Sequence, residues 1–102
     1  MTRVRGAASL LRARSRLDAE VDGRHVLVVA DEDRVMAFDA ICPHRGAPLQ
    51  DAPVLEGVIV CPWHRSIFSV ADGSCLGGPA RAPLAAYRCF LDGDDLVVEV
   101  DR

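Results

Sequence analysis

Two short stretches constrain this chain more than anything else in it: CPHRG at 42–46 and CPWHR at 61–65. The 102 residues include four cysteines and three histidines, and two of each fall in these stretches. Thiolate sulfur and neutral imidazole nitrogen both bind transition metals. One residue separates Cys42 from His44, two separate Cys61 from His64, and residues 45–60 lie between the pairs. Pro43 and Pro62 follow the cysteines and disfavour regular structure, so each pair belongs to a turn. Two such turns at strand ends can converge on one centre with two sulfurs and two nitrogens.

The rest of the chain reads as short β-segments. Arg16 to Val21 alternates, with Leu17, Ala19 and Val21 on one side and Asp18 and Glu20 on the other. Asp22-Gly23 then gives a hairpin signal. His25 to Ala30 is an apolar run, ended by Asp31-Glu32-Asp33, and Val35 to Asp39 resumes the pattern. Val58 to Cys61 leads into the second metal stretch, and Ile67 to Val70 stops at Asp72-Gly73. Ala86 to Leu91 and Leu96 to Val100 flank Asp92-Gly93-Asp94-Asp95, a second hairpin. Short strands with glycine-containing turns predict an all-β sandwich or small barrel. The first fifteen residues are open between a strand and one amphipathic helical turn.

Composition narrows the function classes. With 50% apolar and 26% charged residues, the chain is expected to be one globular domain over 1–102. A net charge of −3 argues against a general nucleic-acid binder. No apolar run is long enough to cross a bilayer, and MTRVRGAASLLRARS lacks a signal-peptide core. The expected compartment is therefore the reducing cytoplasm, where cysteines serve as ligands, catalysts or core residues more often than as disulfides.

Three readings of the Cys–His pairs are possible. They are core cysteines with surface histidines, or a structural zinc site, or a 2Fe–2S cluster in which two His replace two Cys on one iron. Zinc frameworks usually place both sulfurs close in sequence, whereas each loop here supplies one sulfur and one nitrogen. That division suits two chemically different metal atoms. The spacing C-x-H, sixteen residues, C-x-x-H resembles the signature of Rieske iron–sulfur proteins. CPHRGAPL at 42–49 and CPWH at 61–64 resemble the family's two cluster loops, and GGP at 77–79 its proline loop.

The resemblance implies a small antiparallel β-sandwich with a cluster-binding subdomain at roughly 40–80, built from two ligand loops and the proline loop. It implies that Cys42 and Cys61 bind the inner iron and that His44 and His64 bind the outer iron through Nδ1. Gly46, Gly77 and Gly78 are expected to let backbone N–H groups approach the bridging sulfides. The high-potential members carry an extra Cys in each loop, joined in a disulfide; Ala47 and Trp63 occupy those positions here. Ser66 retains a hydroxyl that the family directs toward sulfur, while Phe68 replaces a Tyr that supplies another. Arg65 follows the second His where Gly is usual. The pattern is closest to the soluble ferredoxins of bacterial ring-hydroxylating oxygenases.

Four protein ligands leave neither iron an open position, so the chain is expected to move electrons and not to be an enzyme. The first functional expectation is one-electron transfer from an NAD(P)H-dependent flavoprotein reductase to a terminal Rieske-type oxygenase. Docking would be transient, near the His44/His64 tip, by a monomer with no nucleic-acid or membrane partner. The alternatives are the small subunit of an assimilatory nitrite reductase and a zinc-stabilised interaction module. Cys75 and Cys89 lie outside the motif and read as small core residues, with a disulfide between them left open. His25 reads as an ordinary polar residue. Arg45, Arg65 and Arg81 follow the expected ligands and the proline loop, in an otherwise acidic chain.

Overall fold

The computed structural model describes residues 2–31, 34–42, 48–49, 52–62, 65–78 and 82–99. In chain order the elements are β1 (Thr2–Val4), α1 (Ala7–Arg14), β2 (Arg16–Val21), β3 (Arg24–Asp31), β4 (Arg34–Asp39), β5 (Val54–Leu55), β6 (Val58–Val60), β7 (Ile67–Ser69), β8 (Cys75–Gly77), β9 (Ala86–Asp92) and β10 (Asp95–Glu99). They form two antiparallel sheets, six strands in the order β1-β10-β9-β4-β3-β2 and four in the order β5-β6-β7-β8. The all-β expectation holds.

The turns follow from glycine chemistry. Asp22 and Gly23 have φ of 53° and 82°, and Glu56 and Gly57 have 50° and 83°. Positive φ at both central residues is the type I′ pattern, whose twist matches that of the strands it joins. The opening residues hold both a strand and a helix. Ala7, Ala8 and Leu11 give α1 its buried side, and Ser15, at φ 63°, ends it by donating its N–H to Leu11 O at 2.8 Å. The residues before α1 are tied to the β9–β10 turn: Arg3 pairs with Asp92 (2.9 Å) and Asp95 (3.1 Å). The Gly6 N–H and the Arg3 guanidinium hold the Asp95 carboxyl below its ordinary pKa.

Among the described residues, two separate apolar clusters result. One joins Val21, Val26, Val28, Ala37, Leu96 and Val98 to the buried side of α1. The other joins Leu27, Val29 and Phe38 to Leu49, Ile59, Phe68, Cys42 and Cys61. Strand β3 therefore sends Val26 and Val28 into one cluster and Leu27 and Val29 into the other. A strand buried on both faces reads as an unbroken apolar run, which explains VLVV at 26–29.

Candidate metal centre

The two ligand loops leave the fold at defined places. Strand β4 ends at Asp39, and Ala40 and Ile41 lead into Cys42. The first loop is closed at its base by a bridge between Ile41 and Pro48 and by the Leu49 N–H donating to Ala40 O at 2.7 Å. The second loop is the connection between β6 and β7, where Val60 pairs with Ile67. Its base is held by Cys61 N–H to Ser66 O (2.8 Å) and Arg65 N–H to Cys61 O (2.9 Å). Cys42 and Cys61 are each 1% exposed and belong to the same apolar cluster. Sulfur donors in a dry, shared environment suit iron, because low dielectric strengthens each thiolate–metal bond. His44 and His64, with Arg45, Gly46, Ala47, Trp63, Pro79 and Arg81, lie outside the described residues.

The third loop begins where β8 pairs with β7, Gly77 opposite Ile67. Gly78 has φ +91°, and a Cβ there would meet Ser66 Cα at 2.5 Å, Arg65 O at 2.9 Å and Ser66 N at 3.0 Å. Glycine at this position thus lets the start of the proline loop lie directly on the second ligand loop. The close approach seen at Gly78 is to the backbone of residues 65 and 66. Among the described residues, nothing lies within 4 Å of a Cβ at Gly77.

Ser66 and Phe68 are both fully buried, and Phe68 lies in the cluster that contains the two cysteines. Phe68→Tyr is expected to raise the midpoint potential, because a hydroxyl donor toward a cluster sulfur stabilises the reduced form. A buried hydroxyl without an acceptor costs about 1–3 kcal/mol instead. Voltammetry and thermal melting separate the cases: a fall in Tm with no change in potential would show that the hydroxyl does not reach sulfur.

Arg65 adopts φ 60°, in the left-handed region. Where glycine is usual, this chain keeps the glycine backbone with an arginine side chain, and that side chain is exposed. Left-handed backbone costs a non-glycine residue about 1–2 kcal/mol, partly offset by the greater unfolded-state freedom of glycine. Arg65→Gly is therefore expected to stabilise the protein by about 0.5–1 kcal/mol, roughly 4 °C in Tm for a domain of this size. An unchanged or lower Tm would mean that the arginine side chain makes a compensating contact.

The cysteines outside the loops are partly buried, and no disulfide joins any of the four. Cys75 packs against the cluster that holds Cys42 and Cys61, and Cys89 packs against the other, so they belong to different layers. The Cys75 thiol donates to Gly77 O at 3.5 Å and that of Cys89 to Val35 O at 3.6 Å. Burial pushes the Cys89 thiol up, against an opposing backbone hydrogen bond from Ala37, which disfavours a thiolate there.

The Rieske [2Fe-2S] domain family matches residues 3–88. The chain belongs to this family. A Rieske domain carries a 2Fe–2S cluster, which removes the structural-zinc reading, and the buried Cys42 and Cys61 at the bases of two loops fit such a group. The chain is 34% identical over 87 residues to the ferredoxin component of the alkene monooxygenase system of Xanthobacter autotrophicus, covering 79% of this chain and 70% of that one. Its fold matches the ferredoxin of carbazole 1,9a-dioxygenase from Nocardioides aromaticivorans with a TM-score of 0.81 and 34% identity, over 96% and 97% of the two chains. A chain from a complex of reduced oxygenase and oxidised ferredoxin in carbazole 1,9a-dioxygenase matches with a TM-score of 0.70 and 25% identity, over 81% and 76%. Apoptosis-inducing factor 3 of mouse and human is 26% and 27% identical over 85 residues; this Rieske domain spans 14% of its length. Among the described residues, no helix is long and apolar enough to cross a membrane.

Proposed function

We propose that residues 1–102 form one Rieske domain that works as a ferredoxin. It takes one electron from an NAD(P)H-dependent flavoprotein reductase and passes it to a terminal Rieske-type oxygenase. The observation that supports this most is the burial of Cys42 and Cys61 in one apolar cluster, each at the base of a loop that also carries a histidine. Cys42 and Cys61 would hold one iron as thiolates, and His44 and His64 the other as neutral imidazoles. When bound, the cluster supplies a one-electron couple. Such a ligand set leaves no position for a substrate, so this chain's own residues bind, shield and present the group. Relatives named as ferredoxin components of oxygenase systems, and the ferredoxin–oxygenase complex among the similar structures, support the oxygenase as partner. We take the protein to be a cytoplasmic monomer that docks transiently through the ligand-loop tip.

The strand directions bear on that docking face. β9 runs antiparallel to β4, with Ala86 beside Phe38, so Asp92 lies six residues further along, about 20 Å away. The β9–β10 turn and the paired strand ends Asp31 and Arg34 are therefore at the end of the large sheet remote from the first ligand loop. Asp22 and Asp39 lie at the near end, so the separation of charge is partial. Arg45, Arg65 and Arg81 are proposed to give the tip a positive face for partners with an acidic patch over their own redox centre.

The test is stopped-flow electron transfer, with NADH, a flavoprotein reductase and a terminal oxygenase from a ferredoxin-dependent ring-hydroxylating system, at several ionic strengths. The expected result is reduction by the reductase, reoxidation by the oxygenase, and rates that fall as salt rises. Arg45→Glu with Arg65→Glu is expected to slow association, with the potential of the variant measured alongside. A loaded protein that neither partner oxidises or reduces would overturn the assignment. Salt-independent rates, unchanged in the double variant, would remove the arginines from docking.

A further inference from the structure

We infer that Arg16, at the start of β2 and far from the ligands in sequence, is a positioning residue for both ligand loops. Arg16 pairs with Val29 in the sheet and shares a face of β2 with Asp18, the face opposite Leu17, Ala19 and Val21. Its Nη2 is held by Asp18 at 3.2 Å, and its Nη1 donates to the backbone carbonyl of Ala52. Nε is buried with no hydrogen-bond partner among the described residues, so the guanidinium is set into the structure and does not lie over it.

The Ala52 peptide is where the bases of the two loops meet. Its N–H donates to Leu49 O at 3.0 Å, Leu49 N–H donates to Ala40 O at 2.7 Å, and Ala40 N–H donates to His25 O at 2.9 Å. That chain of bonds passes through Ala40, two residues before Cys42, and ends on β3 at His25. On the other side, Pro53 O accepts Val60 N–H at 2.9 Å, and the next residue is Cys61. Ala52, Leu49 and Ala40 are all buried, so each peptide group depends on protein partners. Arg16 is the donor that the structure gives the Ala52 carbonyl, and it ties this segment, which is neither strand nor helix, to the large sheet. A guanidinium suits the task because one planar group serves the carbonyl and the Asp18 carboxylate together.

The proposal rests on Cys42 and Cys61 as cluster ligands, and its test includes a measurement that does not require the cluster. Arg16→Met keeps the apolar stem and removes every donor; Arg16→Lys keeps the cation and a single donor centre. Amide exchange in the cluster-free protein is expected to quicken about tenfold at Leu49, Ala52 and Val60 in Arg16→Met, with Val98 in β10 unchanged. In the loaded protein, well below its Tm, transfer of iron to a chelator is expected to be about tenfold faster, the lower end of the effect seen when groups supporting metal ligands are removed. The midpoint potential is expected to shift as well. Arg16→Lys should be intermediate in all three, and carries the test alone if Arg16→Met does not fold. Wild-type exchange at Leu49 and Ala52 would overturn the proposal, and so would acceleration that includes Val98, which marks general destabilisation. Faster local exchange with wild-type iron retention and potential would overturn the link to the ligands. A wild type that binds no iron would instead refute the ligand assignment.

Discussion

Gly78→Ala is expected to lose stable cluster binding while the six-stranded sheet stays folded. The added Cβ falls 2.5 Å from Ser66 Cα, 2.9 Å from Arg65 O and 3.0 Å from Ser66 N. All three are backbone atoms, so no rotamer change relieves the contact. At φ +91° the alanine backbone is strained in addition. Overpacking and left-handed strain together come to about 3 kcal/mol or more. Against a whole-domain stability of roughly 5–15 kcal/mol, this displaces a loop before it unfolds a protein. The loop that moves is either the second ligand loop or the proline loop lying on it. The expected result is red-brown colour lost or bleached within a purification, with β-sheet circular dichroism retained. Two neighbours serve as controls. Gly77→Ala meets nothing within 4 Å among the described residues and should behave as wild type. Gly73→Ala meets Leu84 O at 2.9 Å and Phe38 Cε1 at 3.0 Å and neither Arg65 nor Ser66, so it should lower Tm while leaving the visible spectrum closer to wild type than Gly78→Ala does. A Gly78→Ala protein that keeps its spectrum as well as Gly77→Ala does would show that the two loops are not held together by this contact.

The second large effect separates the two kinds of ligand. Wild-type protein is expected to bind two irons and two sulfides, as a Rieske [2Fe-2S] domain does. Cys61→Ser replaces the proposed sulfur ligand at a buried position with a shorter, harder hydroxyl that binds iron less well. Iron content should fall to background, and Cys42→Ser should do the same. His64→Cys differs in kind, because it supplies a thiolate where an imidazole is expected. A cluster is then retained, but added negative charge makes reduction harder, and the potential should fall toward the plant-type value of about −400 mV. Voltammetry and iron analysis on the three variants check this. A His64→Cys protein with an unshifted potential would mean that His64 is not a ligand. A Cys61→Ser protein with full iron would remove Cys61 from the ligand set.

Most of the strands were legible because they expose one face. Arg16 to Val21 alternates cleanly, and its span in the structure is the one the alternation predicts. The strands β5 and β8 were not anticipated. Two and three residues are too few to show a period, and β8 contains a glycine. Glu56-Gly57 between apolar pairs was the available signal for the β5–β6 hairpin. In the two candidate ligand loops, the Cys–His pattern was legible and the contacts that support the loop bases were not. Cys42 and Cys61 stand out by residue type and spacing, since few chemistries need that pattern. Arg16 stands out by nothing: it is one of twelve arginines, and its role depends on which carbonyl the fold brings to it. Arg65 lies between these cases. A side chain where glycine is usual marks the loop as unusual, but only the backbone angle shows that the glycine conformation was kept.

The division of the interior into two clusters has a consequence for how such a protein is made. Val26, Val28, Val98 and the buried side of α1 form a packed interior that contains neither Cys42 nor Cys61. Most of the pairings around it are hairpins between sequence neighbours, which close quickly and with little loop entropy. That half contains neither cysteine proposed to bind iron, so it is expected to pack in the iron-free chain as well. The other half has two sulfur atoms, those of Cys42 and Cys61, among its interior groups. Chain synthesis and metal supply are thereby uncoupled in time. An iron-free chain built this way is expected to accept its metal after synthesis, with the six-stranded sheet already in place.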